Sequence, residues 1–496
     1  MNWKTILRVQ GLLMVVLSIT MTFPLLFSIY YKSGDFFSIG ISILIALAIG
    51  LPLVVFSKSG KQQIRTKEGF LIVGLGWLCA AAFGAMPYYI HGTFGTYIDC
   101  FFEAMSGFST TGATILTNIE IQPKGLLFWR SMTHWLGGMG IILLTIALLP
   151  ILGLSSGSLY NAEVPGPTKD RISPKIKDTA KILWIIYCGM TIAQTILLMF
   201  GGMTLFDALC HSFGTVATGG FSTLNSSVGG YKSLYIEIVI IIFMYFAGIN
   251  FSLHYQLLIG NFKDFFKDKE WRFYTIILVS SIILISLNLF FTKYPLETLE
   301  RNQDIKAISS NFGKSLRAAS FQVVSITTTT GFVTENFDKW PDFSRLLLVF
   351  LMFIGGCSGS TAGGMKQARI MVVLKEIINE IRKIGNPKFT YSVKISKEYI
   401  PDYVVRNVVA FFCIYILFFG LVTLFLTSMG YDIITSFSAS IATLGNVGPG
   451  LARVGAIENF VFFDQFSKII LSLSMLMGRL EIYSVLILIY TVFKKK

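Results

Sequence analysis

The stretch 327-TTTTGF-332 sets four threonines directly before a glycine, inside a chain that is otherwise strongly apolar. Hydroxyls are disfavoured in hydrocarbon, and glycine weakens any regular element it interrupts. Three other stretches share this form. The four read 96-TYIDCFFEAMSGFSTTGATIL-116, 204-TLFDALCHSFGTVATGGFSTL-224, 315-SLRAASFQVVSITTTTGFVTE-335 and 432-DIITSFSASIATLGNVGPGLA-452. Each is about a dozen residues of mildly apolar, helix-forming sequence, too short for the ~20 residues that cross a bilayer, and each ends in a polar turn with glycine. Aligning the turns superposes Gly112, Gly220, Gly331 and Gly448, separated by 108, 111 and 117 residues. One such turn among 45 glycines carries little weight; four with the same flanks at a nearly constant period describe an internal repeat.

The rest of the chain points to lipid. Its 496 residues are 53% hydrophobic and 14% charged, with mean hydropathy +0.67, whereas a soluble domain carries about 25% charged residues. Apolar runs occupy 9–31, 36–57, 70–90, 126–153, 182–203, 234–260, 273–292, 344–365, 404–428 and 466–493. Roughly ten segments are thus long enough to span as helices. The first is too long for a cleavable signal, and no small-residue cleavage site follows it.

The formal charge of +14 is distributed by side of the membrane. Lys58, Lys61, Arg65 and Lys67 follow the second run, and Lys169, Arg171, Lys175, Lys177 and Lys181 follow the fourth. Lys263, Lys267, Lys269 and Arg272 follow the sixth; Lys366, Arg369, Lys375, Arg382, Lys383 and Lys388 follow the eighth; Lys494, Lys495 and Lys496 end the chain. This positive-inside pattern predicts cytoplasmic termini and makes a bilayer, not a nucleic acid, the partner of the basic charge. Segment 293–317 departs from it, placing Lys293, Arg301, Lys306, Lys314 and Arg317 on the outer side. Six cysteines and four histidines lack metal or redox spacing, so they read as packing residues.

The predicted fold is an all-α polytopic membrane protein. Two additional transmembrane helices (1–67) precede four pore repeats at 68–170, 171–270, 271–395 and 396–496. Each repeat is a span, a short re-entrant helix, a glycine turn and a second span. Non-helical backbone survives at membrane depth only where protein buries it or it lines a water-filled cavity. Four equivalent turns can close a ring around an axis. Glycine lets successive carbonyls face that axis, and a carbonyl ring can replace the hydration shell of a monovalent cation. The threonines of 109-STTGAT-114, 218-TGGFST-223 and 327-TTTTGF-332 can add oxygens or hold the turns through backbone hydrogen bonds. The fourth turn, 445-GNVGPG-450, lacks them, so the ring is only approximately four-fold. Each short helix would point its partly negative C-terminal end toward the cation.

The motifs TTGAT at 110–114, TGGFS at 218–222, TTTTGF at 327–332 and GNVGPG at 445–450 resemble those of the Trk/Ktr/HKT superfamily of potassium transporters, in its bacterial TrkH-type membrane subunits. The likeness covers essentially the whole chain, including the two extra N-terminal spans. It implies a potassium-channel-like pore with filter glycines at Gly112, Gly220, Gly331 and Gly448, and with Thr111, Gly219, Thr330 and Val447 sharing the carbonyl ring. In plant relatives a serine at the first of these glycine positions goes with sodium transport, so four glycines favour potassium. The transported ion is then the bound metal, with no covalent cofactor.

The third repeat closes abnormally, with 354-IGGCSGSTAGGMKQAR-369 interrupting its apolar run. Gly355, Gly359 and Gly363 keep the small-xxx-small spacing of close helix packing, yet the cluster is dense enough to break a helix. The resemblance implies an intramembrane gating loop near 355–364, built from Gly355, Gly356, Ser358, Gly359, Ser360, Thr361, Gly363 and Gly364, that obstructs permeation until it moves. Arg479 stands mid-span in 474-SMLMGRLEIYSVLILIY-490, where an unpaired charge costs about 3 kcal/mol or more. Glu481, two residues on, faces another way on a helix. Family members carry a pore-facing arginine in this helix, so Arg479 is expected to set an electrostatic barrier or brace the loop.

Glu103, Asp207 and His211 fall on the short helices, as caps, anchors or cation attractors. Asp99 and Asp207 are candidates for raising cation concentration at the outer mouth, while His134, Asn250 and His254 read as packing hydrogen bonds. No phosphate-cradling GxxxxGK[ST] loop occurs, and the glycines of 73-VGLGWLCAAAFG-84 sit in an apolar span; nothing marks an enzyme. The resemblance implies cytoplasmic TrkA-like RCK/KTN nucleotide-binding subunits as partners, with basic segments 61–67, 169–181, 263–272 and 366–397 as docking surfaces, a homodimer, and the bacterial inner membrane as location. Two transport mechanisms stand, a channel-like uptake subunit and a carrier that couples potassium to protons or sodium; a non-transporting scaffold is the remote third. A carrier of the inverted-repeat type would place a carboxylate pair at the midplane, whereas these repeats run in one orientation.

Overall fold

The computed structural model describes residues 2–57, 66–140, 176–294, 296–299, 305–308, 311–386, 393–395, 398–482 and 485–486. Lys58, Lys61, Arg65, Lys169, Arg171, Lys175, Arg301, Lys388, Lys494, Lys495 and Lys496 lie outside the described residues, as does the part of the fourth apolar run beyond residue 140. The architecture is helical. Short antiparallel hairpins occur only in connecting segments, β1 (Leu296–Leu299) with β2 (Ile305–Ile308) and β3 (Lys394–Ile395) with β4 (Glu398–Tyr399).

Helices α1 (Trp3–Thr20), α2 (Thr22–Tyr31) and α3 (Phe36–Phe56) form the N-terminal addition. Among the described residues six helical segments are long and apolar enough to cross a membrane: Trp3–Tyr31, Phe36–Phe56, Lys67–His91, Asp178–Phe200, Lys269–Phe291 and Asp402–Ser428. The last four open the four repeats: α4 (Thr66–Gly84) with α5 (Met86–His91), then α8 (Ile176–Phe200), α13 (Lys269–Phe291) and α17 (Asp402–Ser428).

After each comes a short helix: α6 (Tyr97–Phe108), α9 (Leu205–Val216), α14 (Phe312–Thr327) and α18 (Ile433–Leu444). The closing helices are α7 (Lys124–Gly138), α10 (Leu234–Ala247), α15 (Asp342–Ile354) and α19 (Gln465–Arg479). Here the structure corrects the sequence expectation of continuous closing spans in the second and fourth repeats; an interruption of the third was expected. The run 234–260 is broken: α10 meets α11 (Phe251–Leu258) at a 102° bend, where Asn250 re-caps the chain by accepting from Ser252 N–H. The run 344–365 stops at Ile354, because Gly355 turns to φ 74°, and helix resumes only at α16 (Gln367–Gly385). In the last run α19 ends at Arg479, and Glu481 and Ile482 take positive φ. Between α11 and α13 lies the short α12 (Phe262–Lys267).

The repeats pack in a closed cycle. Each closing helix lies against the short helix of the next repeat: α7 on α9, α10 on α14, α15 on α18, and α19 back on α6. Polar ties stitch every seam. Arg130 crosses from the first repeat to the Ser222 carbonyl, 3.1 Å. Glu237 takes a bidentate pair from Arg317 at 2.6 and 2.7 Å, joining the second and third. Asp338 accepts from Ala452 N–H at 2.9 Å, joining the third and fourth, and Lys468 reaches Asp99 at 2.7 Å to close the ring. The Arg130–Glu103 pair beneath the first seam is buried, with side chains 2% and 0% exposed. Removing one partner of a buried pair strands the other charge and costs about 3–5 kcal/mol. Arg130→Ala is therefore expected to lower the melting temperature in detergent sharply, and the double variant Arg130→Met/Glu103→Gln to recover much of the loss; equal melting of Arg130→Ala and the parent would refute the role of the pair.

A candidate cation pore

The short helices begin and end alike. Their N-caps are Thr96, Thr204, Asn311 and Asp432, and each side chain accepts the N–H of the third helical residue: Asp99, Asp207, Lys314 and Thr435. This satisfies one of the four free donors at a helix start. At the other end each helix closes in the double hydrogen-bond pattern that an αL residue makes possible. In the first repeat Thr110 N–H bonds Gly107 O and Thr111 N–H bonds Ser106 O; the corresponding pairs start from Thr218 and Gly219, Thr329 and Thr330, and Asn446 and Val447.

The αL residues are Thr110, Thr218, Thr329 and Asn446, with φ from 54° to 56°. β-Branched side chains resist that region, so three threonines here hold strain that the surrounding contacts must stabilise. Two residues later Gly112, Gly220, Gly331 and Gly448 again take positive φ, from 79° to 96°.

These turns meet. A β-carbon on Gly112 would lie 2.2 Å from the Gly219 carbonyl oxygen, one on Gly220 1.9 Å from that of Thr330, one on Gly331 2.1 Å from that of Val447, and one on Gly448 2.6 Å from that of Thr111. Each glycine thus touches the carbonyl preceding the next repeat's glycine, and the order runs first, second, third, fourth and back to first. All eight predicted filter residues are assembled in this ring. The four glycines also line one cavity of about 430 Å³, with Glu458 and Asn459 on its wall. Among the described residues no group of three or more His, Cys, Asp or Glu side chains could hold a metal ion; the oxygens that meet at the ring glycines are the backbone carbonyls of Thr111, Gly219, Thr330 and Val447.

Behind the ring, side chains brace each turn's second limb. Glu103 accepts from Thr114 Oγ1 (2.8 Å) and Ile115 N–H (2.9 Å). His211 Nε2 pairs with Ser222 Oγ (3.0 Å), Gln322 Nε2 donates to Thr334 Oγ1 (3.3 Å), and Ser438 Oγ donates to Leu451 O (3.0 Å). Three of the four braces, at Glu103, His211 and Gln322, stand nine residues before their glycines. Asn446 Nδ2 bridges the fourth turn to the first by donating to Thr111 Oγ1, 2.9 Å. The structure therefore makes Glu103 and His211 anchors. Asp207 is held by Thr204 and Thr223 (2.7 and 2.6 Å) and Asp99 by Lys468, and neither lines the cavity. His134 and His254 make the expected packing bonds, to Gly107 O and Phe246 O.

Against the turns lies the segment 355–366, non-helical and buried apart from Gly359, which is half-buried. Gly355, Gly359 and Gly364 have φ of 74°, 69° and 72°. The segment docks in the bend between α10 and α11: Cys357 N–H bonds Gly248 O (2.9 Å), Gly359 O accepts Phe251 N–H (3.0 Å), and Thr361 Oγ1 donates to Val216 O (3.0 Å) and Ala247 O (3.2 Å). Ser360 Oγ bonds Cys357 O, and Gly356 O takes Gln367 N–H. The apex touches the turns themselves, through Gly363 N–H to Thr329 Oγ1 at 2.7 Å.

Arg479 sits at the same level. It donates to Thr361 O (2.7 Å), Thr110 Oγ1 (3.2 Å), Gly137 O (2.7 Å) and Gly138 O (2.6 Å). Its guanidinium thus joins the loop, the first turn and the end of α7. Glu481 pairs instead with Arg369. Sequence reasoning missed Asn446, Arg130 and Glu270; only the pseudo-equivalence of Glu103, His211 and Gln322, at one offset from the glycines, offered a signal.

Residues 36–494 match the model of the family described as "TrkH: Cation transport protein". The chain is 39% identical over 491 residues to the Trk system potassium uptake protein TrkH of Escherichia coli K12, covering 98% of each chain. It is 38% identical over 499 residues to the TrkH of Halomonas elongata, covering 100% of each. The crystal structure of the potassium transporter TrkH from Vibrio parahaemolyticus superposes with a TM-score of 0.87 at 35% identity, over 100% of both chains. With its fold and nearly its whole length matched, the chain belongs to the TrkH family of cation transport proteins.

Proposed function

We propose that this protein takes up potassium through a channel-like pore whose selectivity filter is the ring at Thr111, Gly112, Gly219, Gly220, Thr330, Gly331, Val447 and Gly448. The observation that carries the reading is the cyclic contact of each filter glycine with its neighbour's carbonyl. Potassium, being weakly hydrated, exchanges its water shell for carbonyl oxygens at small cost. The four short helices aim their C-terminal ends at the ring, adding partial negative charge. Full-length relatives named as potassium uptake proteins support the ion's identity.

Below the ring, Gly355, Gly356, Ser358, Gly359, Ser360, Thr361, Gly363 and Gly364 form the gate, with Arg479 latching its apex through Thr361 O. The cation that passes moves down the membrane potential, worth about 2.3 kcal/mol per charge per 100 mV. We place both termini in the cytoplasm and the chain in the bacterial inner membrane, as a homodimer regulated by TrkA-like RCK/KTN subunits. Of the docking surfaces expected from charge, the segment with Lys263, Lys267 and Lys269 is exposed, whereas Lys366 and Arg369 are 4% and 7% exposed and are withdrawn from that role.

Rescue of uptake-deficient, potassium-starved cells tests the reading. Gly220→Ala sets a methyl 1.9 Å from the Thr330 oxygen and is expected to abolish rescue while the protein still reaches the membrane; growth like the parent's would sink the filter. Gly112→Ser, whose β-carbon would meet the Gly219 oxygen at 2.2 Å, is expected to displace that carbonyl and lower the potassium-over-sodium ratio of the flux that remains. In liposomes at fixed potential, the channel dissipates a potassium gradient without a proton gradient; strict dependence on protons or sodium would make it a carrier. Arg479→Ala is expected to raise closed-state leak roughly tenfold, about 1.4 kcal/mol of lost latch, and unchanged leak would remove Arg479 from the gate.

A further inference from the structure

We propose that Glu270 clamps the base of the intramembrane loop, as a positioning residue that fixes both limbs through one carboxylate oxygen. The proposal rests on reading 355–366 as the gate. Glu270 Oε1 accepts from Ser358 N–H at 2.6 Å and from Ala368 N–H at 3.0 Å. Ser358 belongs to the entering limb, and Ala368 to the first turn of α16.

The second bond has a clear cause. A helix start leaves four N–H groups free and carries partial positive charge. The N-cap position of α16 is Lys366, which makes no side-chain cap bond and whose ammonium has no acceptor to offer. The missing acceptor comes from the neighbouring span, since Glu270 stands in the first turn of α13. The same oxygen then gathers Ser358, ten residues earlier in the chain.

The ties divide by repeat. At the base, Met365 N–H bonds Phe353 O, Lys366 N–H bonds Ile354 O, and Gln367 N–H bonds Gly356 O; with Glu270, in the first turn of the span α13 (Lys269–Phe291) that opens the third repeat, these belong to that repeat. The ties that leave the third repeat are those of residues 357–361, from Cys357 N–H to Gly248 O, from Phe251 N–H to Gly359 O, and from Thr361 to Val216, Ala247 and Arg479, whereas Gly363 N–H to Thr329 Oγ1 stays inside it. A loop that swings aside can break the second set and keep the first. Glu270 therefore defines the fixed end of the movement.

Cys357, 1% exposed and beside Ser358, reports on the clamp. The test measures alkylation of the full-length protein in liposomes by N-ethylmaleimide, peptide by peptide, alongside potassium leak. Glu270→Gln keeps an oxygen able to accept both N–H groups and is expected to protect Cys357 as the parent does. Glu270→Ala is expected to speed Cys357 labelling roughly tenfold through local opening and to raise leak, with Cys100 and Cys210, both buried in other repeats, unchanged. Should Glu270→Ala fail to reach the membrane, Glu270→Asp, one methylene too short, is expected to give the same labelling. Parent-like labelling in the Ala or Asp variant, fast labelling in the Gln variant, or parallel acceleration at Cys100 and Cys210 would overturn the clamp. Labelling needs no ion to pass, so failure of the clamp and failure of the pore reading are told apart.

Discussion

Everything in this molecule is arranged around four peptide turns that approach one another more closely than any side chain allows. At each contact the carbonyl of one repeat occupies the space where the next repeat's β-carbon would be. Only glycine tolerates such an approach and the positive φ that accompanies it. The requirement propagates outward. Turns in mutual contact need helices that end alike behind them, and the four short helices share side-chain N-caps, C-terminal bond patterns and an αL residue at one position.

The turns are not relaxed. Threonine in the αL region stores strain, and the hydroxyls that come with it are used. Thr110 accepts from Arg479, and Thr329 accepts from Gly363. A glycine at these positions would relieve the backbone and lose the link between the ring and the loop beside it. The strained residues are thus the point at which the ring and the intramembrane segment communicate.

That segment shows how irregular backbone persists at membrane depth. Its N–H and C=O groups cannot turn to water, and each unmet group costs several kcal/mol. They are met by carbonyls exposed at the bend after Ala247, by the side chains of Thr329, Glu270 and Arg479, and by the segment's own turns. Breaks in the closing helices and the irregular loop satisfy one another; neither would be stable in lipid alone. Arg479 belongs to the same exchange, since three of its four acceptors are backbone oxygens.

The sequence by itself determined the repeat, the four turn glycines and the apolar spans, because each is written in local composition: glycine where φ is positive, threonine or aspartate where a helix starts, about twenty apolar residues where a span crosses. It also marked 355–364 and Arg479 as departures from an ordinary span. It did not reveal that the closing spans of the second and fourth repeats are also broken, since hydropathy counts apolar residues without regard to their dihedral angles. Nor could it place Arg130 against Ser222, Asn446 against Thr111, or Glu270 against Ser358 and Ala368. Those partners stand up to 335 residues apart, and their meeting follows from the cyclic order of the repeats. Local chemistry chose the turns; only closure of the ring decided which oxygen each of them faces.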